Sequence, residues 1–424
     1  MVDKNLLPYN LAIVAIFKDE SPYLREWLDY HLLAGVEHFY LYNNDSSDNC
    51  AEVLKPYVDT GLVTLIDWPG KMMQTPAYDD ALERSRFFCR YVAFIDLDEF
   101  IFPRTGQSIA EVVDEIFSHD AHAATLKINW QVFGSNGHET ADLSRGVLER
   151  FTRRAPTDWV FDDEKLNRLA NCNAYVKILV NPRRVNSILS PHHAICFEGL
   201  HCVNADGRPN EKPINLHVAA DKIVLNHYYA KSREEYAKNK MSRGWAYANK
   251  NPYSSEIFDL YDRNEVFDDG ILTYSAARAK NFSLEGDAQR IQRAEKVLLD
   301  TLTAKSPLTA PADFFVGKLE TFLTCRKLAE VFATRIGNKS AEEYALVWIY
   351  QTLTQATTTS HAEFQLFLKA LPEILSRPFP LTKKILRLTC DELIPAFCDA
   401  LKLKELWEPR TALLDLQKFL NLMR

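Results

Sequence analysis

Apolar residues follow two alternating patterns along the first hundred residues of the chain. Continuous apolar runs of strand length cover residues 11–17, 38–42, 62–66 and 91–95. Between these runs, apolar residues recur at helical spacing in residues 23–34, around Val53 and Leu54, and in residues 77–89. Ser21 and Pro22 precede the first helical segment as its predicted N-cap and first-turn proline. Strands separated by helices of this length predict right-handed crossovers and a mostly parallel α/β sheet.

The pattern changes twice later in the chain. Residues 124–130, 174–180 and 222–225 are predicted strands, but polar, irregular loops separate them instead of regular helices. From about Ser283 onward, apolar residues recur at helical spacing alone. We therefore predict an α/β domain over residues 1–282, with halves at 1–100 and 101–282, and an all-helical domain over residues 283–424.

The composition is that of an ordinary globular protein, with 424 residues, 47% of them hydrophobic and 25% charged. A net charge of −7 disfavours a nucleic-acid partner, because such proteins usually present a basic face to phosphates. The apolar run at 11–17 is too short for a signal peptide, and no run reaches the roughly 18 residues of a membrane span. The eight cysteines form no CxxC pair, so we expect reduced thiols in the cytoplasm.

Three acidic residues crowd together where the fourth predicted strand ends. The sequence YVAFIDLDEFIF of residues 91–102 places Asp96, Asp98 and Glu99 between apolar flanks. Ligand sites of parallel sheets lie at the carboxyl ends of the strands. Two carboxylates at i and i+2 can share Mn²⁺ or Mg²⁺ there, which removes the like-charge penalty. A solvated acidic turn is the alternative, but the apolar flanks favour the metal.

Two chemistries use an aspartate pair after an apolar strand. In haloacid-dehalogenase-like phosphatases the first aspartate is the nucleophile and the second the general acid, on the first strand of the fold. Here about 90 residues of strand and helix precede the pair, and Phe100 stands where those enzymes usually carry Thr or Val. In nucleotide-sugar glycosyltransferases the pair follows such a nucleotide-binding half, and its metal holds the donor diphosphate. The second chemistry fits the position better.

Several segments, in this order, resemble glycosyltransferase family 92 and related family 2-like enzymes of bacterial glycan synthesis. They are FKDESPYLREWLDYHLLAGVEHFYLYNNDSSDN from residue 17, Gln74 with AYDDALERSR, VAFIDLDEFIFP, FGSNGH from residue 133, and HYYAKSREEYAKNKMSRG from residue 227. The resemblance covers about residues 11–244. It implies a GT-A-like, Rossmann-like domain and metal-dependent, inverting transfer from a UDP-sugar in polysaccharide biosynthesis. Galactose is the first candidate sugar, and a glycan or lipid-linked glycan is the expected acceptor.

The resemblance also implies a set of donor-binding residues. Contacts to the nucleoside are expected from Asp19, Glu20, Asn43, Asn44, Asp45 and Asp48. Contacts to the phosphates are expected from Arg84, Lys177 and Lys231. The asparagines and aspartates of the loop 43–48 also suit a plain helix-capping turn. Arg84 and Lys231 also suit a solvated helix face, so both interpretations stay open.

His227 is expected to complete the metal site with Asp96 and Asp98, although a strand histidine is more often a buried core residue. An inverting transfer needs one base that takes the acceptor proton. The candidates for that base, in order, are Glu149, His193, Glu198 and Asp163. The sugar site is expected to contain Trp130, Phe133 and His138. Buried packing is the alternative for the tryptophan and the phenylalanine.

Basic and apolar residues mix in the helical tail. The segment SRPFPLTKKILRL carries Arg377, Lys383, Lys384 and Arg387. Such a helix suits peripheral contact with the inner face of an anionic cell membrane. Ordinary packing, acceptor binding and dimer formation are the alternatives for the tail. A non-catalytic sugar-nucleotide-binding module is the alternative to an enzyme, although the complete acidic pair disfavours it.

Overall fold

The computed structural model describes residues 7, 9–86, 88–159, 161–163, 168–170, 172–243, 251, 253–285, 289, 290 and 293. The chain divides into two compact units, Tyr9–Glu285 and a second that combines Met1–Pro8 with Gly286–Arg424. Almost all of the predicted helical domain over 283–424, including its basic segment at 377–387, lies outside the described residues. Its helical fold and its membrane contact stay predictions. Among the described helices, none is long and apolar enough to cross a bilayer.

The Tyr9–Glu285 unit contains strands and helices in mixed order. Its strands are β1 (Tyr9–Phe17), β2 (His38–Asn43), β3 (Val63–Asp67), β4 (Cys89–Phe94), β5 (Glu99–Pro103), β6 (Ala123–Val132), β7 (Arg153–Arg154), β8 (Phe161–Asp163), β9 (Arg168–Ala170), β10 (Val176–Val180), β11 (Val185–Ser190), β12 (His193–Cys196), β13 (His201–Asn204), β14 (Ile223–His227) and β15 (Val266–Phe267). Its α-helices are α1 (Ser21–Leu33), α2 (Cys50–Asp59), α3 (Gln74–Ser85), α4 (Ile109–Ser118), α5 (Val147–Arg150), α6 (Arg233–Tyr236), α7 (Ser255–Tyr261) and α8 (Gly270–Ala279). A 3-10 turn covers Cys172–Ala174, and a π-helix covers Ala237–Met241.

The main sheet has the strand order β3-β2-β1-β4-β10-β6-β14-β5, with β13 paired to β6. The predicted parallel arrangement is confirmed for β1, β2, β3 and β4. Beyond β4 the sheet is mixed, because β10 runs antiparallel to both β4 and β6, whereas β13 and β14 run parallel to β6. The last strand, β5, also runs antiparallel to its neighbour β14. The unit is therefore a mixed α/β fold.

Both faces of β1 are buried, which explains its unbroken apolar sequence. On one face Leu11 and Ile13 pack in the same cluster as Trp27 of α1. On the other face Val14 packs in the cluster that contains Tyr78 of α3. Helices therefore cover both faces of the parallel half, as crossover connections require.

The first helix begins differently from the prediction. Ser21 is its first helical residue and Glu20 occupies the N-cap position without a capping side chain. The carboxylate of Asp48 accepts the Ser21 N–H at 2.8 Å instead. An aspartate from the neighbouring loop thus supplies the oxygen that the sequence assigned to the local serine.

The third helix ends earlier than the predicted 77–89. It stops at Ser85, and Cys89 is already the first residue of β4. Cys89 pairs with Tyr9 in the parallel ladder of β1 and β4. The sheet pairing therefore overrides the helical periodicity of these last residues.

The main sheet curls, and the turn at residues 95–98 depends on this curvature. β4 ends at Phe94 and β5 begins at Glu99, although β10, β6 and β14 lie between them in the sheet. Four strand spacings in a flat sheet measure roughly 19 Å. Five peptide steps span at most about 18 Å when fully extended. The short turn can connect the two strands only because the sheet bends them towards each other.

Candidate active site

Five ionisable residues meet at one edge of the curled sheet. Asp96 and Asp98 follow β4, and His227 is the last residue of β14. Lys177 lies near the start of β10, and because β10 runs antiparallel to β4 it reaches the same edge. Glu99 begins β5 opposite His227. The topology therefore gathers residues that are far apart in sequence.

Asp96 is held by a buried lysine. The Lys177 ammonium, 1% exposed, lies 2.6 Å from Asp96 Oδ2 and 3.3 Å from Glu99 Oε2. Burial opposes the charge of Lys177, but the carboxylates of Asp96 and Glu99 outweigh it and raise the lysine's pKa. Gln74 donates to the other oxygen of Asp96 at 3.3 Å. Lys177, which the family resemblance predicts to contact phosphate, therefore binds Asp96 of the acidic pair in this structure.

Asp98 lies between a lysine and a histidine. Lys240 Nζ is 2.7 Å from Asp98 Oδ2, and His227 Nε2 is 3.5 Å from Asp98 Oδ1. Burial alone opposes the charge of Asp98, but Lys240 and His227 hold the carboxyl pKa well below its ordinary value. The Lys240 ammonium also sits 4.0 Å from the ring centre of Tyr229, a cation–π distance. Asp98 is therefore ionised and already binds one cation of the protein.

Glu99, which the sequence left without a role, supports the turn from inside. Its side chain is fully buried, and its Oε2 accepts the Asp96 N–H at 2.8 Å. Its Oε1 has no hydrogen-bond partner and lies 3.9 Å from His227 Nδ1, which also has none. Burial raises the pKa of Glu99 to about 8 despite the nearby Lys177. A carboxyl group in the core thus fixes the position of Asp96.

The loop 43–48, predicted to bind the nucleoside, is extensively bonded to its own neighbours. Asn44 donates to the carbonyls of Trp68 and Gly70. Asp45 accepts the Gly70 N–H at 3.1 Å, and Asn43 accepts the N–H of Ser46 at 3.1 Å. These bonds order the loop beside the ends of β2 and β3.

Two aspartates, Asp48 of this loop and Asp19 after β1, accept backbone N–H groups. Asp48 accepts the N–H groups of Ser21 and Cys50, the first residues of two helices. Asp19, in the left-handed region with φ +53°, accepts the Ser47 N–H at 2.6 Å. Asp48 thus binds the first N–H group of two helices without occupying an N-cap position, and nucleoside binding by the loop stays a prediction.

A second cluster of charged side chains lies at the start of α1. Glu20, 8% exposed, is 2.8 Å from Arg243 and 3.9 Å from the ammonium of Lys231. Lys231 also lies 3.4 Å from the ring centre of Tyr23, and burial lowers its pKa. The interpretation of Lys231 as part of a solvated helix face is wrong, because this side chain is buried.

Arg84 has a different environment from Lys231. It pairs with Asp80 on the same helix at 2.6 Å and its side chain is 48% exposed. The described contacts thus support the solvated-helix interpretation of Arg84.

The predicted sugar-site residues separate into different environments. Trp130 packs against His227 with ring centres 4.3 Å apart, and its indole N–H is buried without a hydrogen-bond partner. Phe133 is fully buried against Tyr228, so it is a core residue. His138 is half-buried with its ring edge-on to that of Phe151. Trp130 is the residue of this set that contacts the histidine beside Asp98.

The four predicted base candidates do not contact the acidic pair in the part of the chain that the structure describes. Glu149 is exposed on α5 and pairs with Arg145 at 3.0 Å. Glu198 is exposed in the turn between β12 and β13. His193 contacts the ammonium of Lys127 at 3.1 Å. Asp163 ends β8, and its side chain is outside the described residues.

Sequence reasoning missed His192, which precedes His193. Its ring packs edge-on against Trp130 and lies 5.8 Å from that of Tyr175. Burial and the charge of Lys177 lower the pKa of His192 to about 4, so the ring is neutral at pH 7. Adjacent side chains at a strand start point to opposite faces, and only the sheet geometry decides which histidine faces the site.

The donor set at Asp98 fits a divalent cation in its chemistry. A carboxylate and an imidazole converge there, and both are ligands that Mn²⁺ accepts. The Lys240 ammonium already binds Asp98, so this position accepts a positive charge. Asp96 is directed to Lys177, and no group of three His, Cys, Asp or Glu residues with metal-site spacing occurs among the described residues. Asp98 and His227 are thus the residues that would hold the cation.

An α/β sheet whose ionisable side chains gather at the carboxyl edge of its strands is typical of enzymes of the α/β class. The profile described as glycosyltransferase family 92 matches residues 13–252, which is more than half of the chain, and the chain belongs to this family. The family resemblance seen in the sequence is therefore confirmed.

The curated relatives in the comparison are plant proteins. A glycosyltransferase family 92 protein of Ricinus communis is 27% identical over 224 residues, covering 52% of this chain and 35% of the relative. One of Oryza sativa subsp. japonica is 26% identical over 221 residues, covering 52% of this chain and 33% of the relative. The chain thus spans about a third of the length of these relatives. The expected link to bacterial glycan synthesis has no support among them.

A further relative carries an activity in its name. The galactan beta-1,4-galactosyltransferase GALS2 of Arabidopsis thaliana is 33% identical over 100 residues, covering 21% of this chain and 19% of the relative. Among solved structures, S. aureus TarS 1-349 matches with a TM-score of 0.30 and 11% identity, covering 75% of this chain and 82% of that one. Its complex with UDP matches with a TM-score of 0.29 and 12% identity, over the same shares of the two chains. Scores this low do not establish a common fold.

Proposed function

We propose that this chain is a glycosyltransferase with a GT-A-like domain that moves a sugar from a UDP-sugar to a hydroxyl group of a glycan or lipid-linked glycan. The observation that carries the proposal is the cluster of Asp98, His227 and Lys240 at the carboxyl edge of the sheet, in a chain of glycosyltransferase family 92. Galactose is the first sugar to test, because matched relatives are named galactosyltransferases.

The basic residues around the cluster would bind the donor diphosphate. Lys231, Lys240 and Arg243 come from one short segment and lie near Glu20 or Asp98. A diphosphate that enters beside these carboxylates would compete with them for the three cations. Because this edge is largely desolvated, such contacts stabilise the charge that develops on the leaving group more strongly than in water.

We also propose that Mn²⁺ or Mg²⁺ binds at Asp98 and His227, with Asp96 nearby. A bound divalent ion supplies positive charge to the leaving diphosphate. The chain's own residues would do the rest: Lys177 and Glu99 keep Asp96 and the turn in position, and Lys240 moves from Asp98 to the phosphates. Trp130, beside His227, would offer its ring as a platform for the sugar.

The reaction would proceed with inversion, by direct attack of the acceptor hydroxyl on the anomeric carbon. Such a displacement needs one general base and no covalent enzyme intermediate. Glu149 is the first candidate from sequence, and its exposed position beside Arg145 makes it the candidate that most needs a test.

The decisive experiment measures UDP release from a panel of UDP-sugars by the full chain, with and without Mn²⁺ or Mg²⁺. We expect release from one sugar that requires the metal, and a loss of about a hundredfold or more in Asp98→Asn. Asp59→Asn, an exposed aspartate paired with Lys55, is the matched control and should keep full activity.

Other outcomes would reassign the site. Full turnover by Asp98→Asn or by metal-free protein would contradict the role of Asp98. Phosphate release from simple phosphomonoesters, lost in Asp96→Asn, would favour the phosphatase alternative. UDP binding without turnover of any sugar would favour the non-catalytic binding module.

A further inference from the structure

Two cysteines lie close together on neighbouring elements away from the acidic cluster. Cys196 is the last residue of β12 and Cys202 lies in β13, and their sulfur atoms are 3.6 Å apart. Cys202 is fully buried, whereas Cys196 is partly exposed. Five residues separate them, so their proximity follows from the tight turn that contains Gly199 at φ +77°.

A buried cation accompanies the two thiols. The Lys127 side chain is fully buried, and its Nζ contacts His193 Nδ1 and the carbonyl oxygen of Lys212. Neither contact is an anion, and among the described residues no carboxylate forms an ion pair with Lys127. Burial lowers the pKa of Lys127, while Cys202, Glu211 and Cys196 favour its charged form. A thiolate at either cysteine would add to the negative charge that favours the Lys127 ammonium.

The two thiols differ in acidity. The hydrogen bond from Cys202, with help from the Thr125 hydroxyl and Lys127, lowers the pKa of Cys196 against the effect of burial. The same hydrogen bond and burial raise the pKa of Cys202. The pair therefore ionises first at the sulfur that solvent can reach, and the inner sulfur keeps its proton.

We propose that Cys196 and Cys202 form a thiol–disulfide exchange site that reacts with small-molecule disulfides of the glutathione type. The Cys196 thiolate attacks one sulfur of the disulfide RSSR, which breaks the S–S bond, forms a mixed disulfide on Cys196 and releases RS⁻. Cys202 then loses its proton and attacks Cys196 Sγ, which forms the Cys196–Cys202 bond and releases the second RS⁻. The two cysteines are oxidised, and RSSR is reduced to two thiols.

The local backbone can accommodate this bond. The sulfur atoms must approach from 3.6 Å to the roughly 2.05 Å of a disulfide. The ladder between β13 and β6 has a register shift between His201 and Cys202, so an irregularity already lies next to the inner cysteine. Formation of the disulfide would therefore shift the turn and the irregular pairing of β13 with β6, while the regular pairing of β6 with β10 stays intact.

The test exposes the folded full chain to glutathione at a reducing and an oxidising ratio, blocks free thiols, and digests with trypsin and a glutamate-specific protease. Cleavage after Arg184, Glu198 and Glu211 places each cysteine on its own fragment. We expect the two fragments to stay linked after the oxidising treatment alone, with a loss of two hydrogen atoms. In Cys202→Ser we expect glutathione to remain on Cys196, because the attacking thiol is gone. Cys89, buried with its pKa raised to about 12, should stay unmodified and serves as the internal reference.

Two further measurements separate this proposal from incidental oxidation. Alkylation of Cys196 at pH 7 should be slower in Lys127→Met, because the Lys127 charge favours the Cys196 thiolate. If that variant does not fold, Cys202→Ser and the wild-type chain still decide the result. Separate, unlinked fragments at the oxidising ratio, or equal modification of Cys89 and Cys196, would overturn the proposal. So would linkage of either cysteine to another part of the chain.

Discussion

The buried ammonium of Lys177 lies 2.6 Å from Asp96 and 3.3 Å from Glu99, so a single cation of the protein serves two carboxylates of the acidic turn. Two of the three acids that crowd the sequence are thus partly neutralised within the fold. The third, Asp98, takes Lys240 as its partner. Because each lysine pairs with different acids of the turn, Lys177 and Lys240 are the first residues to test.

Removal of Lys177 should destabilise the fold and abolish activity. Lys177→Met leaves Asp96 without its cation. Because the Asp96 side chain is 36% exposed and the buried Glu99 can take up a proton, we expect a cost of about 2–3 kcal/mol, below the value typical of a fully buried pair. We expect a loss of this size in the free energy of unfolding from urea denaturation followed by circular dichroism. Lys55→Met, at an exposed pair with Asp59, should change stability by no more than about 1 kcal/mol. Equal effects of the two substitutions would argue against the buried pair.

The buried ion pair between Arg150 and Glu235 should also be sensitive to substitution. Arg150 donates two hydrogen bonds to Glu235, at 2.8 and 2.9 Å, and both side chains are almost fully buried. Arg150→Met should cost about 3–5 kcal/mol because Glu235 would keep a buried charge. Arg145→Met, which breaks the exposed pair with Glu149, is the control and should cost less than about 1 kcal/mol. Urea denaturation of both variants under one condition gives the comparison.

Removal of Lys240 should strengthen the binding of metal without donor. Its ammonium occupies the carboxylate that we propose as a metal ligand, so Lys240→Met frees Asp98. We expect Mn²⁺ to bind about tenfold more tightly, about 1.4 kcal/mol, in a spin-resonance titration of the free ion. Lys238→Met, an exposed lysine of the same π-helix, should leave the affinity unchanged. Weaker binding in the Lys240 variant would show that the ion binds elsewhere.

Acid should destabilise the fold through His31. This ring is fully buried, and its Nε2 accepts the Ile101 N–H at 3.3 Å while Nδ1–H donates to the Trp27 carbonyl. Burial lowers its pKa from 6.5 to about 3, so the folded state binds fewer protons than the unfolded state between these values. The stabilisation is complete above pH 6.5 and is lost as the pH falls towards about 3.

The measurement compares how steeply the free energy of unfolding changes with pH in the wild-type protein and in variants. His31→Gln should reduce the dependence of unfolding free energy on pH, between about pH 6 and about pH 5, by about 1.4 kcal/mol per unit. Other buried histidines contribute equally to both proteins and cancel. His122→Gln, at a side chain 69% exposed, should keep the wild-type slope. An unchanged slope in the His31 variant would mean that this ring is protonated in the fold.

Glu149 should be dispensable for turnover. Its carboxylate is exposed and paired with Arg145, and it makes no described contact with the acidic pair. We expect Glu149→Gln to keep sugar transfer within about twofold, whereas loss of a base costs about a hundredfold or more. The measurement is the rate of UDP release at a saturating acceptor concentration. A hundredfold loss would establish Glu149 as the base.

The parallel half of the sheet could be predicted because its strands are buried on both faces and therefore form continuous apolar runs. The turn with Asp96 and Asp98 could be placed at a strand end for the same reason. The direction of β10 could not be predicted, since pairing with β4 and β6 depends on contacts far away in sequence. Residues 91–102 also hide a chain reversal: β5 is as apolar as β4, so no local signal shows that it pairs at the far side of β14.

The role of individual site residues was harder to predict than the strands. The family resemblance pointed to Lys177, but its contact with Asp96 arises only when β10 and β4 are neighbours. Glu99 is buried because β5 pairs with β14, which no pattern around residue 99 reveals. His192 and His193 are adjacent, so their side chains point to opposite faces of the sheet, and a shift of one residue would exchange which of them faces the site. Local sequence thus located the site, and long-range pairing decided its chemistry.

The curvature of the main sheet has a consequence for adaptation of the site. The turn at residues 95–98 joins two strands that three others hold apart, so the distance between its ends follows the bend of the whole sheet. Substitutions in the interior of β10, β6 or β14 that alter this bend would move Asp96 relative to His227 without touching either. Donor preference could therefore be retuned by core packing at a distance, while every polar residue of the site stays the same.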